Sequence, residues 1–294
     1  DTAGSVRIPA SWTGNVGLKT TAGRWSTDGI VPLSSTLDTA GILARTVDDL
    51  TLAFRAIDPA RPPAIPALEL GDLHFGRCDT LLFDGCSPGV VEVFDGALGE
   101  LTRAGGQLAS LALPELEPTW QLFQRGGTVA AELHGFLSAE LPECLDTLDP
   151  NVGARLADAA QLSASELSDR RETLSGLAAA ADLHLQEVDV LVCPTVANTP
   201  PRLAEVDSVA SYGPQNLLCL RNTSMASYLG LCAVTMPIGC DAAGMPVGLQ
   251  LIARGHHEPR LLAVAQCVEQ VLGHSRERLG VPPRCRPDFV APNG

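Results

Sequence analysis

The sequence predicts an α/β fold in which one large mixed β-sheet carries helices on both faces. Residues 81–113 have the order strand, helix, strand, which predicts a βαβ unit with a parallel strand pair and a right-handed crossover. Residues 188–193 form a continuous apolar run, as in a strand covered on both faces. Residues 232–237 and 247–253 are predicted as two further strands joined by a tight turn. Strands of both directions therefore share the sheet with helices.

The first half of the chain begins with irregular structure and then turns helical. Residues 1–45 are rich in Gly, Ser and Thr, which favours turns and loops around one short helix near residues 10–14. Thr46 is placed to cap a helix, because Asp49 follows three residues later as in a capping box. This N-terminal region is therefore expected to form irregular loops around a site.

The spacing of apolar residues predicts the elements of the βαβ unit and of the segment after it. Residues 81–83 are predicted as a short strand, residues 90–103 as a helix with one apolar face, and residues 108–113 as a second strand. Residues 118–187 are predicted to be mostly helical, with breaks at glycine and proline positions.

The second half contains a capped helix, a loop and a final helix. Ser163 and Glu166 predict a helix start, and that helix is expected to run to about residue 186. Residues 200–212 are predicted as a loop, followed by a helix over 223–229. The last helix is predicted at 258–272, and the Pro- and Arg-rich tail behind it is expected to wrap the surface.

Composition narrows the class of protein. The chain has 294 residues, of which 45% are apolar, and this supports a sizeable core. A net charge of −14 argues against nucleic acid or an anionic membrane as a partner, and no apolar run is long enough to span a membrane. The nine cysteines are scattered without a Cys-x-x-Cys pair, so a reducing, cytoplasmic location is expected, with no metal and no cofactor.

The first residues carry the chemistry that the sequence offers. Ala3 and Gly4 stand directly before Ser5, and such small residues allow a turn whose successive N–H groups converge on an anion. Ser5 lies at the edge of this turn, where its hydroxyl could attack a bound carbonyl. Small residues before a serine occur in many loops, so the turn alone identifies no active site.

Ordered blocks further along the chain resemble the amidase signature family of serine hydrolases. They lie, from the first residue almost to the last, at residues 1–9, 14–24, 26–32, 37–41, 43–49, 188–195, 233–239 and 244–252. The resemblance implies the large mixed sheet of that family, so residues 1–294 are expected to be a single domain that lacks its N-terminal portion. It also implies that Ser5 is the nucleophile of a Ser–cisSer–Lys triad.

Amide hydrolysis needs a nucleophile, donors for the oxyanion and a proton carrier. Ser5 is predicted as the first, and the backbone N–H groups of Thr2, Ala3, Gly4 and Ser5 as the second. In the family the proton passes through a cis-serine to a buried lysine, and both belong to a segment upstream of the nucleophile. This chain begins inside the motif, so it is expected to be a piece that is inactive alone. Lys19 matches a different family lysine, and a salt-bridging or surface role is expected for it.

Asp1 and Arg7 flank the turn as supporting residues. Asp1 could orient the backbone donors, and Arg7 could neutralise a substrate carboxylate or hold the loop, while a mutual structural ion pair is equally open. The resemblance implies an acyl pocket along residues 120–134, where plain helix packing is the alternative. Ser227 and Cys232 stand where many relatives have Asn and Pro, which places the chain outside the typical aminoacyl-tRNA amidotransferase A-subunits. Ala3, where the family usually has Gly, slightly crowds the turn.

Other nucleophile schemes fit the sequence less well. The turn lacks the second glycine of Gly-x-Ser-x-Gly, and none of the six histidines or nine cysteines stands in a recognisable catalytic motif. The sequence therefore predicts an amidase that cleaves a small carboxamide through an acyl-Ser5 intermediate. Two alternatives remain open: a non-catalytic amidase-like subunit or relic, and a glutamine-dependent transamidating subunit. The expected partner is a small-molecule amide, and a homodimer is left open.

Overall fold

A computed structural model of the protein describes residues 1–60, 65–159 and 161–281, and its strands form one mixed sheet. In sheet order these strands are β2-β1-β6-β7-β5-β3-β4. Their bounds are β1 Val16–Lys19, β2 Gly41–Ala44, β3 His74–Arg77, β4 Gln107–Ser110, β5 Val190–Pro194, β6 Cys232–Cys240 and β7 Pro246–Ala253. β3 pairs in parallel with both β4 and β5, and every other pairing among these strands is antiparallel. The predicted mixed α/β fold is confirmed.

Helices cover both faces of this sheet. They are α1 Arg7–Thr13, α2 Val47–Ile57, α3 Val90–Arg103, α4 Leu116–Gln124, α5 Val129–Glu140, α6 Pro150–Ala159, α7 Ala164–His184, α8 Val209–Tyr228, α9 Glu258–Leu272 and α10 Ser275–Leu279. Alternate side chains of β5 point to opposite faces of the sheet. Val190 and Val192 pack with α2, α3 and α9 on one face. Leu191 and Cys193, between and after them, pack with α4, α7 and α8. No helix in the described part of the chain is long and apolar enough to cross a membrane.

The sheet brings the first residues of the chain next to the last strands. β1 follows α1 after two residues and pairs with the first half of β6, with Leu18 opposite Val234. The turn at residues 2–5 therefore lies at the N-terminus of α1, close to the buried middle of the sheet and to α8. The division of the whole protein into domains stays a prediction.

Several elements occur where the sequence predicts them. The helices at 90–103 and 258–272 have the predicted bounds. The cap of α2 is confirmed, because the backbone N–H of Asp49 donates to Thr46 Oγ1 at 3.1 Å. The capping box of Ser163 and Glu166 is also present at the start of α7.

The predicted strand at residues 81–83 is wrong. Those residues form a short 3-10 helix. Leu82 is buried in the core in this conformation, so the apolar run does not require a strand. The strand of the βαβ unit is β3, whose Phe75 lies opposite Leu108 in parallel register, so the parallel unit itself is confirmed. β3 contains His, Gly and Arg, yet it is held by ladders on both sides.

Several boundaries also differ from the sequence-based prediction. The strand predicted at 108–113 is β4, which ends at Ser110. The first helix begins at Arg7 rather than near residue 10. Residues from Val209 onward belong to α8 rather than to a loop, because Ser208 caps a helix that continues through Pro214. The tail begins with α10, and the prediction that it wraps the surface falls on residues 282–294, outside the described residues.

Candidate active site

The turn before α1 depends on glycine at position 4. Gly4 has a φ of 147°, a conformation that side-chain-bearing residues rarely adopt. A Cβ atom at this position would lie 2.3 Å from Thr223 Oγ1 and 2.7 Å from Ile8 Cδ1. Both the backbone angle and the space around it therefore require glycine, and the next residue, Ser5, is left exposed at the edge of the turn.

The backbone donors of the turn are unengaged. Within the described part of the chain, none of the N–H groups of Thr2, Ala3, Gly4 and Ser5 donates to another protein group, and Ser5 Oγ has no partner. All four residues line the same cavity. Free N–H groups beside an exposed hydroxyl form a concavity that could hold an oxyanion next to a nucleophile.

Side chains from distant parts of the chain fix the turn. Thr2 Oγ1 donates to Asp38 Oδ1 at 2.5 Å, and Thr223 Oγ1 in α8 donates to the carbonyl of Ala3 at 2.6 Å. Because these bonds anchor groups on both sides of the Thr2–Ala3 peptide, the free N–H groups are held in place before any ligand binds.

Arg7 and Asp1 form a buried ion pair beneath the turn. The guanidinium donates from Nε to Asp1 Oδ2 at 3.1 Å and from Nη2 to Asp1 Oδ1 at 3.0 Å. Its other N–H groups donate to Ser227 Oγ, to the carbonyl of Thr223 and to Gln250 Oε1, at 2.9, 2.8 and 2.7 Å. Arg7 is fully buried and does not line the cavity, so of its two predicted tasks this geometry fits holding the loop. Burial lowers the pKa of Arg7 to about 9, which leaves it charged at neutral pH.

The expected surface or salt-bridging role of Lys19 is wrong. Lys19 is the only lysine of the chain and is 1% exposed in β1. Its Nζ donates to the carbonyls of Thr20 and Leu231 at 2.8 and 3.0 Å, and within the described residues it makes no ion pair. Burial, aided by the charge of Arg7, lowers its pKa from 10.5 to about 7. The sequence could not show that Lys19 is buried, because its hydrogen-bond acceptors are backbone carbonyls, which every type of residue has.

We expect Lys19 to make stability depend on pH. Between about pH 7 and 10.5 the unfolded chain holds a proton on Lys19 that the folded chain has released, so unfolding takes up a proton. The stability of the wild type should therefore rise with pH across this window, relative to Lys19→Met, by up to about 1.4 kcal/mol per pH unit. Urea unfolding of both proteins from pH 7 to pH 10 measures the difference. Parallel stability curves would contradict the lowered pKa.

A cavity of about 760 Å³ opens at the turn. Its wall is formed by the turn, by α1 and by residues of the helical segment between α4 and α8, among them Phe123, Val129, Leu156 and Leu220. Residues 123–133 supply much of this wall, so the stretch at 120–134 lines a pocket as well as packing against the fold. No group of three metal-binding side chains occurs among the described residues, and the described cysteines are free.

Comparison with known proteins identifies the family of this chain. The Amidase family model matches residues 1–262. A 2-amino-5-chloromuconic acid deaminase of Comamonas testosteroni is 43% identical over 284 residues, which are 96% of this chain and 62% of that protein. A fatty acid amide hydrolase of Medicago truncatula is 30% identical over 95% of this chain and 49% of that protein. A crystal structure of an amidase superposes with a TM-score of 0.80 at 27% identity, covering 93% of this chain and 62% of that one.

The chain belongs to the amidase signature family, as its motifs predict. The relatives named above are described as a deaminase and an amide hydrolase. The chain spans about half to two thirds of the length of the curated relatives named above.

Sequence reasoning located the turn but missed the residues that hold it. Thr223, Gln250 and Asp38 lie 36 to 243 positions from the groups that they bind, and only the fold brings them together. One signal was present: residues 221–227 are mostly polar yet lie where α8 is buried, which indicates side chains with internal partners. Ser227, noted as a departure from the family pattern, accepts a hydrogen bond from Arg7.

Proposed function

We propose that this chain is the nucleophile-bearing part of an amidase that cleaves a small linear carboxamide through an acyl-enzyme on Ser5. The observation that carries the proposal is the glycine-dependent turn, where an unpartnered Ser5 hydroxyl stands beside free backbone N–H groups at the mouth of the cavity. Membership of the amidase family and relatives named for deamination and amide hydrolysis support it.

The reaction follows from these positions. Ser5 Oγ adds to the substrate carbonyl, and the N–H groups of Thr2, Ala3, Gly4 and Ser5 stabilise the tetrahedral oxyanion, each donor being worth about 3 kcal/mol of the barrier. Collapse breaks the C–N bond, and the amine leaves with the proton that Ser5 gave up. Water then adds to the acyl-Ser5 ester and releases the carboxylic acid and the free serine.

The proton relay is proposed to lie outside this chain. In the proposed mechanism a cis-serine receives the Ser5 proton and shares it with a buried lysine, both on an upstream segment. Lys19 does not serve instead, because its Nζ is engaged by two carbonyls and it does not line the cavity. The 294-residue chain alone should therefore be inactive. The scattered cysteines favour the cytoplasm as the place of action.

Covalent trapping tests the proposal. The full-length protein is treated with a fluorophosphonate, and the adduct is mapped by peptide mass spectrometry. We expect one adduct per chain on Ser5, competed by amide substrate and absent in Ser5→Ala. A protein that hydrolyses amides without labelling at Ser5 would overturn the mechanism.

The two alternatives give different results in the same assay. A relic would neither label nor turn over. A transamidating subunit would label, but it would pass ammonia to an acceptor on a second subunit instead of releasing it to water.

A further inference from the structure

The cavity at Ser5 carries a charge opposite to that of the chain. The chain has a net charge of −14, with 34 acidic residues against 20 basic ones. Yet the described residues that line the cavity include Arg125, Arg155 and Arg170 and no aspartate or glutamate. Among the described lining residues the charged side chains are therefore all positive, in a protein whose net charge is negative, and such a wall raises the positive potential where a ligand binds.

The three arginines come from three different helical elements. Arg125 is the C-cap residue directly after α4, Arg155 lies in the middle of α6, and Arg170 lies in the first half of α7. These helices belong to the segment from α4 to α8, which forms much of the cavity wall and lies far from the turn in sequence. The positive charge is therefore a property of the cavity and not of one basic run.

Arg170 has a structural task within this wall. Its Nη1 donates to the carbonyls of Arg125 and Gly127 at 3.1 and 2.7 Å, which fixes the turn between α4 and α5. Glu166, one helical turn away, bonds to Ser163 instead of forming an ion pair with Arg170. Arg170 thus holds the backbone at Arg125 and Gly127 in position without forming an ion pair with a described side chain.

Arg125 and Arg155 have no partner among the described side chains. Both side chains belong to exposed residues, and in the described ranges neither guanidinium has a hydrogen bond or an ion pair. Arg171, by contrast, lies next to Arg170 and is paired with Glu132 at 2.9 Å. Between α4 and α7, the arginines without an ion pair to a described side chain are therefore the ones that line the cavity.

We propose that the substrate is an amide whose acyl chain ends in a carboxylate, and that Arg155 and Arg125 bind this carboxylate while the amide lies at Ser5. This inference rests on the proposed function and names its substrate class. Guanidinium groups bind carboxylates through paired, charge-assisted hydrogen bonds. The same cavity is lined by apolar residues such as Phe123, Leu156 and Leu220, which suit a carbon chain.

Matched substrates test this class on the full-length protein. Monoamides of unbranched dicarboxylic acids with four to eight carbons are compared with the diamides of the same acids. We expect kcat/KM to favour the monoamide at the best chain length, and the preference to shrink as ionic strength rises. Arg155→Gln and Arg125→Gln should each lower kcat/KM for the monoamide about 10- to 100-fold, with the diamide little changed.

Arg103→Gln is the matched control, because Arg103 is exposed at the end of α3 and does not line the cavity. It removes the same charge and should leave the ratio of the two substrates unchanged. Arg155→Lys separates charge from geometry, since lysine keeps the charge without the paired donors and should recover only part of the loss.

Failure of the substrate class is distinguishable from failure of the proposed function. If Ser5 labels with the fluorophosphonate but diamides are preferred at every length, or the arginine variants leave the ratio unchanged, this inference is overturned and the amidase mechanism stands. If Ser5 does not label and no amide is cleaved, the proposed function itself fails.

Discussion

Replacing Ser5 by alanine in the full-length protein is expected to lower kcat for amide hydrolysis by at least about 10⁴-fold. The variant keeps the turn, its free N–H groups and the cavity, but it has no oxygen to accept the acyl group. The residual rate would reflect oxyanion stabilisation of direct attack by water, which is far slower than the two-step route. Steady-state ammonia release measures the change.

The loss in Ser5→Ala should be catalytic and not structural. Ser5 is exposed and its hydroxyl has no partner among the described residues, so the free energy of unfolding should change by no more than about 0.5 kcal/mol. Ser175→Ala is the matched control, because Ser175 is an exposed helical serine in α7 that does not line the cavity. Near-normal turnover in Ser5→Ala would exclude Ser5 as the nucleophile.

Strands with strong apolar patterns were predictable, and strands defined by their neighbours were not. β5 follows from a continuous apolar run, and β7 from a run that is apolar apart from Gln250; the sheet buries both strands. β3 has only four residues and includes Gly76, whose Cβ would lie 3.0 Å from Val188. Its extended form depends on the ladders with β4 and β5, and such long-range pairing leaves no local pattern in the sequence.

The same limit applies to β1 and the site. β1 lies in a Gly- and Thr-rich segment that indicates loops, and its Lys19 is a residue type that is rarely buried. The turn before it was readable because glycine and serine are adjacent in sequence. The cavity was not, because its wall joins residues 2–9 to residues about 120 to 220 positions away.

Removing the charge of Arg7 is expected to be the most destabilising substitution at the site. The guanidinium has five N–H groups, and all five donate to Asp1, Ser227, Thr223 and Gln250. In Arg7→Met the Asp1 carboxylate would stay buried without its counter-charge. The cost should be about 3–5 kcal/mol in the free energy of unfolding, measured by urea denaturation.

Substitution of Asp1 measures how much of that cost comes from leaving its carboxylate without a counter-charge. Asp1 also accepts hydrogen bonds from the backbone N–H groups of Val6 and Arg7, and an asparagine at position 1 could keep one of them through its carbonyl oxygen. The double variant Asp1→Asn/Arg7→Met removes both charges, so it should cost less than the sum of the two single changes. Arg103→Met, at an exposed position without bonds to other described residues, should change stability by less than about 0.5 kcal/mol.

Strictly additive single changes would mean that Asp1 and Arg7 do not depend on each other. In that case the hydrogen bonds to Gln250 and Ser227, and not the ion pair, would be what holds the turn beneath Ser5.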